Sequence, residues 1–296
     1  ERYTTTSLNG IRIPSPEPER KVVPLDMFPS GLLQSITTSK TFTPDLPGDF
    51  SGAQVNIKTR EFPANRQFVL ATSTGFNSRA TSKTVFRAPS EGLEWLAFGS
   101  RDRRLPAVVE AAGGFEPSPS QDQVNAIVGS FRNAWSAPTG SGLPNSSLSF
   151  SVGGNDPIAG QRIGYLVSGT YSYGQEIQDQ QRRAYAQPGS QPGIVSEIDR
   201  FEGSTGRASV LLGGLVNLGT NIGSGTRLSL NTSYNRTADN DARLETGESE
   251  NLGGRFRINR LRYVERTVLS NQLQGEHRLG ARHAVDWTVA RSQVNR

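Results

Sequence analysis

The feature that most constrains this fold is a repeated alternation of apolar and polar residues after residue 65. Leu148, Phe150 and Val152, for example, alternate with serines. Successive side chains of a β-strand point to opposite faces, so each such segment predicts a strand with one apolar and one polar face. Seven segments show the pattern: 68–76, 147–152, 163–173, 210–218, 228–235, 269–276 and 285–292. They predict an antiparallel meander of at least seven strands.

Strand length and connection length separate a membrane barrel from a soluble sandwich, which would show the same alternation. The best segments approach the ~10 residues of a tilted membrane strand, whereas soluble strands average ~5–6. The predicted connections also alternate between short and long. The short ones are Gly153–Gly160, Gly219–Gly225 and Gly280–Arg282, and the long ones are Asn77–Asn145, Gln175–Glu202 and Arg236–Arg262. This sorting is typical of outer-membrane barrels, with long loops outside and short turns in the periplasm.

The chain before residue 65 has a different pattern, rich in proline, that predicts a small α+β unit. Strands are predicted at 7–13, 35–42 and 53–59. A helix is predicted at Pro29–Ile36, because proline favours the first turn of a helix. A proline-rich loop, 14–20, and a glycine-rich turn, 47–52, connect these elements.

Composition excludes several functions. The 296 residues contain no cysteine, which excludes a thiolate metal site and a cysteine nucleophile. The formal charge is +5, but acidic and basic residues interleave, so no basic face for nucleic acid is expected. No apolar run is long enough for a transmembrane helix. Only every second residue of a membrane strand faces lipid, so hydropathy does not test for a barrel.

Candidate chemical groups in the sequence do not form a convincing catalytic or metal site. His277 and His283 flank a turn, where exposed histidines are common, and a metal site needs more ligands on one face. Asp26, Asp45 and Asp49 lie in Pro- or Gly-rich turns, where aspartate commonly caps the backbone. The glycines of 213–225 lack the Lys-Ser/Thr of a phosphate loop. We therefore predict no enzyme activity and no cofactor.

Four stretches near the N-terminus occur in an order and spacing typical of one family. They are Leu8–Gly10 (LNG), Pro14–Arg20 (PSPEPER), Pro24–Ile36 (PLDMFPSGLLQSI) and Thr43–Thr59 (TPDLPGDFSGAQVNIKT). Together they resemble the plug domain of TonB-dependent outer-membrane receptors of the form found in Caulobacter-like and Xanthomonas-like bacteria. Two later stretches, Trp95–Phe98 and Arg104–Pro106, also resemble that family.

The resemblance implies a fold and a function. The expected fold is mostly β, with the C-terminal part of a small α+β plug at 1–65 and an incomplete transmembrane antiparallel β-barrel at 66–296. Receptors of this kind have barrels of about 22 strands with a plugged lumen. The expected function is TonB-driven uptake of a scarce small molecule, a carbohydrate or a metal chelate such as a siderophore. The chain is then an internal piece, and the segment that contacts the TonB complex lies outside it.

Two groups of residues are candidates for function under this resemblance. Plug loops on the outer side contribute to the binding pocket, and the stiff, charged loop 14–20 suits that role. Its candidate substrate-binding residues are Ser15, Glu17, Glu19 and Arg20. A polar barrel interior also needs partners on the plug. Gln272, Gln274 and Glu276 are candidates for that contact, with Arg2 or Arg12 expected to pair with Glu276.

Two other classes of protein remain open from the sequence. One is a soluble or surface-displayed β-sandwich that binds a ligand, in which the apolar faces would be sealed between two sheets. The other is an outer-membrane barrel enzyme, which would need inward acid, base or nucleophile groups near the strand ends. The plug-like motifs favour the receptor over both.

Overall fold

The computed structural model describes residues 4–18, 21–43, 50, 52–100, 103–112, 120–158, 160–186, 195–280 and 282–296. The protein is mostly β, and its two main parts are a four-stranded and a seven-stranded sheet. We call the described part of residues 4–62 the N-terminal unit and the seven-stranded sheet the large sheet. Among the described residues, no helix has the length and apolar character needed to cross a membrane.

The N-terminal unit is built on strands β1 to β4. Their bounds are Thr4–Leu8, Ile11–Arg12, Leu33–Ser39 and Ala53–Thr59. β1 pairs in parallel with β4, and β2 and β3 complete the order β2-β1-β4-β3. Two turns of 3-10 helix, Leu25–Met27 and Ser30–Leu32, lie between β2 and β3. Leu8, Met27 and Ile57 are fully buried in the core of this unit.

The predicted helix at Pro29–Ile36 is wrong, although the strand predicted next to it is largely confirmed. Pro29 precedes a single turn of 3-10 helix, and β3 begins directly after it. β3 contains Ile36 and Thr37, whose β-branched side chains favour a strand. Ile36 pairs with Ile57 of β4, so tertiary pairing outweighs the proline signal.

The large sheet is an antiparallel meander of seven strands, which confirms the predicted number and topology. Its strands are β5 and β8 to β13. β6 and β7, at Thr84–Phe86 and Thr139–Ser141, form a separate two-stranded sheet. The bounds of the seven strands are Gln67–Gly75, Asn145–Ile158, Gln161–Ala186, Ser196–Ile222, Thr226–Ser249, Gly254–Leu279 and His283–Asn295. Among the described residues no pairing joins β5 to β13, so the sheet is open. The short turns contain Gly160, Gly223 and Gly280 at positive φ, which glycine adopts without strain.

Two of the three predicted long connections are wrong, because the strands continue through them. β9 continues to Ala186, and β10 begins at Ser196. β11 and β12 are separated only by residues 250–253. These extensions carry polar side chains on both faces and are held by continuous ladders and by ion pairs such as Arg207–Asp241. A strand that is polar on both faces shows no alternation, so its sequence resembles a loop.

The two faces of the large sheet differ in polarity. Side chains that share one face by register form an exposed apolar belt: Phe68, Leu70, Leu148, Phe150, Val152, Val167, Leu218, Leu230, Leu273, Trp287 and Val289. Tyr165 and Leu228, predicted for the same face, are half-buried there. Phe68 and Leu70 are 67% and 62% exposed, so the belt is not sealed between two sheets as a sandwich core would be.

The N-terminal unit covers the opposite, polar face. Leu215 points to this side and is buried against Leu32 and Leu166. The contact of Leu215 explains why the alternation in β10 is weak, because this leucine lies on the otherwise polar face, where it packs under the N-terminal unit.

The segment between β5 and β8 lies against the apolar face of the large sheet, beyond the apolar belt. It includes β6 and β7, which pair with each other, and helices α1, Ala107–Ala112, and α2, Gln121–Ser130. Ser120 caps α2: its hydroxyl accepts a hydrogen bond from the backbone N–H of Gln123, and the Gln123 side chain accepts one from the backbone N–H of Ser120. Ala97, in the same segment, packs against Val210 and Ala238 of the large sheet.

Candidate functional site

The contact between the N-terminal unit and the polar face is built on amide side chains. Gln272 is 1% exposed, and its amide donates to the backbone oxygen of Leu8 at 2.9 Å and accepts from the Asn9 amide at 3.2 Å. One strand away, Asn231 donates to the Thr59 hydroxyl at 2.9 Å. An amide supplies both a donor and an acceptor, so it satisfies mixed partners that a carboxylate or an amine could not.

A tight hairpin turn presents Asn9 to this contact. Asn9 and Gly10 both have positive φ, the conformation required in the turns that best match the twist of paired strands. The Asn9 side chain also accepts hydrogen bonds from the backbone and the hydroxyl of Thr59, at 2.9 and 3.1 Å. The Leu-Asn-Gly motif therefore shapes the tip of β1 and β2 and fixes the amide that meets Gln272.

An aromatic ring packs below these amides. Phe62 lies over Gly164 and Gly219 on neighbouring strands, and a Cβ at either position would overlap its ring. The two glycines thus form a flat seat for the segment that leads from the N-terminal unit into the large sheet.

Arg66 fixes the far end of that segment. It donates to both carboxylate oxygens of Asp156 at 2.8 Å, and Asp156 also accepts from the Tyr165 hydroxyl. The hydrogen bond to Asp156 raises the pKa of Arg66 above its ordinary value. Arg66 is exposed, so this contact orients the segment without adding much stability.

Glu17 connects the N-terminal unit to the last two strands of the sheet. Its carboxylate accepts from Arg266 at 2.5 Å and from Arg296 at 2.8 Å. Arg266 donates also to Asp239 at 2.7 Å. The side chains of Glu17 and Arg266 are about one-sixth exposed, so this is a partly buried network.

A second charged row lies on the same face, farther from the short turns. Asp241 is 1% exposed and is bound by Arg207 at 2.8 Å from β10 and by Arg262 from β12. Arg207 also approaches Glu176 of β9 at 3.6 Å. Four adjacent strands therefore contribute to one row, which we call the charged row.

Between the charged row and the amide contact lies a column of short polar side chains. Ser233, Asn235 and Thr237 of β11 are buried and face the N-terminal unit by register with Asn231. Within the described part of the chain, Ser233 Oγ, Asn235 Oδ1 and Thr237 Oγ1 have no hydrogen-bond partner. Buried polar atoms normally have one, so these three mark a polar gap between the two parts.

The sequence-predicted site residues are distributed as follows. Ser15 donates to the Val22 backbone oxygen at 2.9 Å and accepts from Glu17, so it organises its own loop. Glu17 faces the sheet in the ion pairs described above. Glu19 and Arg20 lie outside the described residues, and so does Arg2.

The predicted contact residues on β12 behave differently from one another. Gln272 lies in the contact, and Gln274 is half-buried with no side-chain hydrogen bond to another described residue. Glu276 is exposed and has no ion-pair partner among the residues that the structure describes, and Arg12 is exposed in β2. The charged contact that the sequence suggested for Glu276 is made instead by Glu17, on the N-terminal side.

Sequence reasoning missed the charged row. A signal was present, because Asp239 and Asp241 recur at a spacing of two on one strand and Arg262 and Arg266 lie on the same face of the next strand. Acidic residues on one face of a strand and basic residues on the same face of its antiparallel neighbour lie opposite each other and can form ion pairs. That signal becomes visible only when the strands are known to extend through the predicted loops.

The arrangement brings hydrogen-bonding groups of several kinds together on one face of the sheet. It offers carboxylates, guanidinium groups and amides in a row, which suit hydrogen bonds to a polar solute. Among the described residues, no group of three or more His, Asp or Glu side chains is placed to hold a metal ion. Neither the known protein families, nor curated proteins, nor solved structures give a significant match to this chain.

Proposed function

We propose that this chain is part of a receptor that takes up a scarce polar solute, a carbohydrate or a metal chelate, across the bacterial outer membrane. The large sheet forms part of a barrel wall, and the N-terminal unit is part of the plug inside it. One observation carries the proposal: the sheet is apolar and exposed on one face and polar on the other. Lipid suits the first face, and the N-terminal unit covers part of the second.

Strand length supports the same proposal. β10 has 27 residues, which at a rise of ~3.3 Å makes it roughly 90 Å long. The apolar band of an outer-membrane barrel is only about 25 Å tall. A strand of this length therefore passes the band and continues outside it, which accounts for the polar extensions of β9 to β12.

The charged row is the proposed contact surface for the solute. It lies on the same face as the N-terminal unit and on the side away from the short turns, where a lumen opens to the outside. Uptake against a gradient needs energy, and the plug-like motifs point to the TonB complex as the partner that supplies it.

Uptake measurements test this function directly. The full-length protein is expressed in cells with and without TonB, and accumulation of labelled oligosaccharides and ferric chelates is measured. We expect TonB-dependent accumulation of one class, and we expect Asp241→Ala to lower it at least several-fold because Arg207 and Arg262 lose their shared partner. Arg255→Ala, at the tip of the β11–β12 hairpin, is the control. Failure to accumulate any solute in a TonB-dependent manner would contradict the proposal.

The orientation of the sheet gives a second test, and these 296 residues contribute no cysteine of their own to the labelling. Ser224→Cys places a thiol in a short turn, and Asn251→Cys places one at the tip of the β11–β12 hairpin. An impermeant thiol reagent on intact cells should label residue 251 and leave residue 224 unlabelled until the cells are opened. The reverse pattern would refute the proposed orientation.

A further inference from the structure

A cavity of about 720 Å³ lies on the apolar side of the large sheet, on the face opposite to the charged row. The segment between β5 and β8 forms one wall, and β11 and β12 form the other. Four arginines and one glutamate of this side are in its lining, namely Arg103, Arg104, Arg132, Arg236 and Glu265, and the lining also reaches Arg262 of the charged row, which binds Asp241. Apart from Arg262, no residue in this lining belongs to the charged row.

Two of the arginines are rigidly held. Arg103 donates to Glu94 at 2.5 Å and to the Pro89 backbone oxygen at 2.6 Å, and its guanidinium stacks 3.9 Å from the centre of the Tyr263 ring. Arg236 donates to the Ala97 backbone oxygen at 2.6 Å and to Glu265, and it stacks on Phe98. Guanidinium groups fixed in this way form a preorganised wall with little flexibility left to lose on binding.

Unused hydrogen-bonding capacity remains in the same cavity. Arg104 is exposed and has no ion-pair partner among the described residues, and within the same residues one nitrogen of Arg132 donates a hydrogen bond, to Glu91. Ser100 Oγ is buried in the wall without a partner in the described part of the chain. Three of the four arginines on this side are paired with carboxylates, so among the described lining residues Arg104 is the cation that no carboxylate balances.

The height of the cavity on the sheet identifies what reaches it. Arg236 lies ten residues beyond Thr226, the first residue of β11. At ~3.4 Å per residue and a tilt of ~40°, this is about 26 Å along the membrane normal, and the apolar band is about 25 Å tall. The cavity is therefore at the outer edge of the band. Trp95, 58% exposed, lies beside it, and aromatic residues are enriched at that level.

We propose that this cavity binds the phosphate group of an outer-leaflet lipid, with Arg104, Arg132 and Ser100 as its donors. Arginine is the preferred donor to phosphate because its planar fork matches two phosphate oxygens. The exposed rings of Trp95 and Phe98 then lie next to the upper acyl region of the same leaflet. This inference rests on the proposed function, because it requires the apolar belt to lie in a membrane.

Lipid retention tests the site. The full-length protein is reconstituted in phosphatidylcholine vesicles containing either phosphorylated or dephosphorylated lipid A, and the lipid that stays bound after gentle detergent extraction is quantified by native mass spectrometry. We expect the wild-type protein to retain the phosphorylated form. Arg104→Ala combined with Arg132→Ala should retain at least about tenfold less, since each lost charged donor weakens binding by about that order. Arg255→Ala removes an exposed arginine elsewhere and should retain as much as wild type.

Each outcome decides the proposal. Equal retention of the two lipids, or unchanged retention in the double variant, would overturn it. A further arm adds excess inorganic phosphate. If phosphate alone binds and phosphorylated lipid A is not enriched, the site takes a free anion and the lipid assignment is wrong. Flotation with the vesicles separates this failure from that of the proposed function. Protein that does not float overturns both, whereas protein that floats without lipid preference overturns only the lipid site.

Discussion

At the scale of single residues, the contact between the two parts depends on buried amides with matched partners. Gln272 uses both ends of its side chain, toward Leu8 and Asn9, and Asn9 in turn binds Thr59. A buried group of this kind adds little while satisfied, but it leaves costly unpaired atoms when one partner is removed. We therefore expect this position to tolerate few substitutions.

Gln272→Leu tests that dependence. The substitution leaves the Leu8 oxygen and the Asn9 amide without these partners, and we expect a loss of about 1–3 kcal/mol in the free energy of unfolding measured in urea. Gln274→Leu on the same strand is the control, because its side chain makes no described hydrogen bond, and it should change stability by less than about 0.5 kcal/mol. Equal losses in both variants would contradict the proposed role of Gln272.

Glu17 gives a second prediction at this scale. Glu17→Gln removes the charge that Arg266 and Arg296 share, and we expect a loss of about 1–3 kcal/mol together with faster proteolysis of the N-terminal unit. Raising the salt concentration should shrink the gap between variant and wild type, since ions screen partly exposed pairs. Glu276→Gln, exposed and unpaired in the described structure, is the control. A Glu17→Gln protein with wild-type stability but weaker solute binding would assign Glu17 to the substrate instead.

At the scale of elements, the sequence predicted those strands whose two faces differ in environment. The residues of β8 alternate cleanly because one face is apolar and the other carries serines. The extensions of β9 to β12 were missed because both of their faces are polar. The contact of Ala97 with Val210 was missed as well, since no local pattern shows where a long connection packs. The charged row was invisible for the same reason, because it depends on register between four strands.

The seat of Phe62 gives a prediction for one element of the contact. Gly164→Ala places a Cβ inside the Phe62 ring, so we expect the segment after β4 to shift and stability to fall by about 1–3 kcal/mol. Combining it with Phe62→Leu should recover part of that loss. Gly174→Ala, on the same strand with open space around it, serves as the control. Additive losses in the double variant would show that the ring and the glycine do not interact.

At the scale of the whole molecule, the exposed apolar belt dominates solution behaviour. Contiguous apolar surface beyond a few hundred Å² is rare in soluble monomers. β5 and β13 each pair with only one strand in the described part of the chain, which leaves backbone groups free to pair with other molecules. We expect the 296-residue chain expressed alone to aggregate in buffer and to be monodisperse only in detergent, as measured by light scattering. A monodisperse, cooperatively unfolding monomer without detergent would favour the soluble sandwich.

The ion pair between Glu17 and Arg296 also bears on the order in which the protein assembles. These two residues are 279 positions apart, and the bond between Gln272 and Leu8 spans 264 positions. Contacts between such distant positions form late in folding, because the chain loses the entropy of closing a long loop before the contacts stabilise it. The N-terminal unit is synthesised before its partners Gln272 and Arg296, which lie much later in the chain. A newly synthesised chain must therefore leave this unit without these partners until β12 and Arg296 have been made, so the docking of the unit onto the sheet follows the synthesis of those residues.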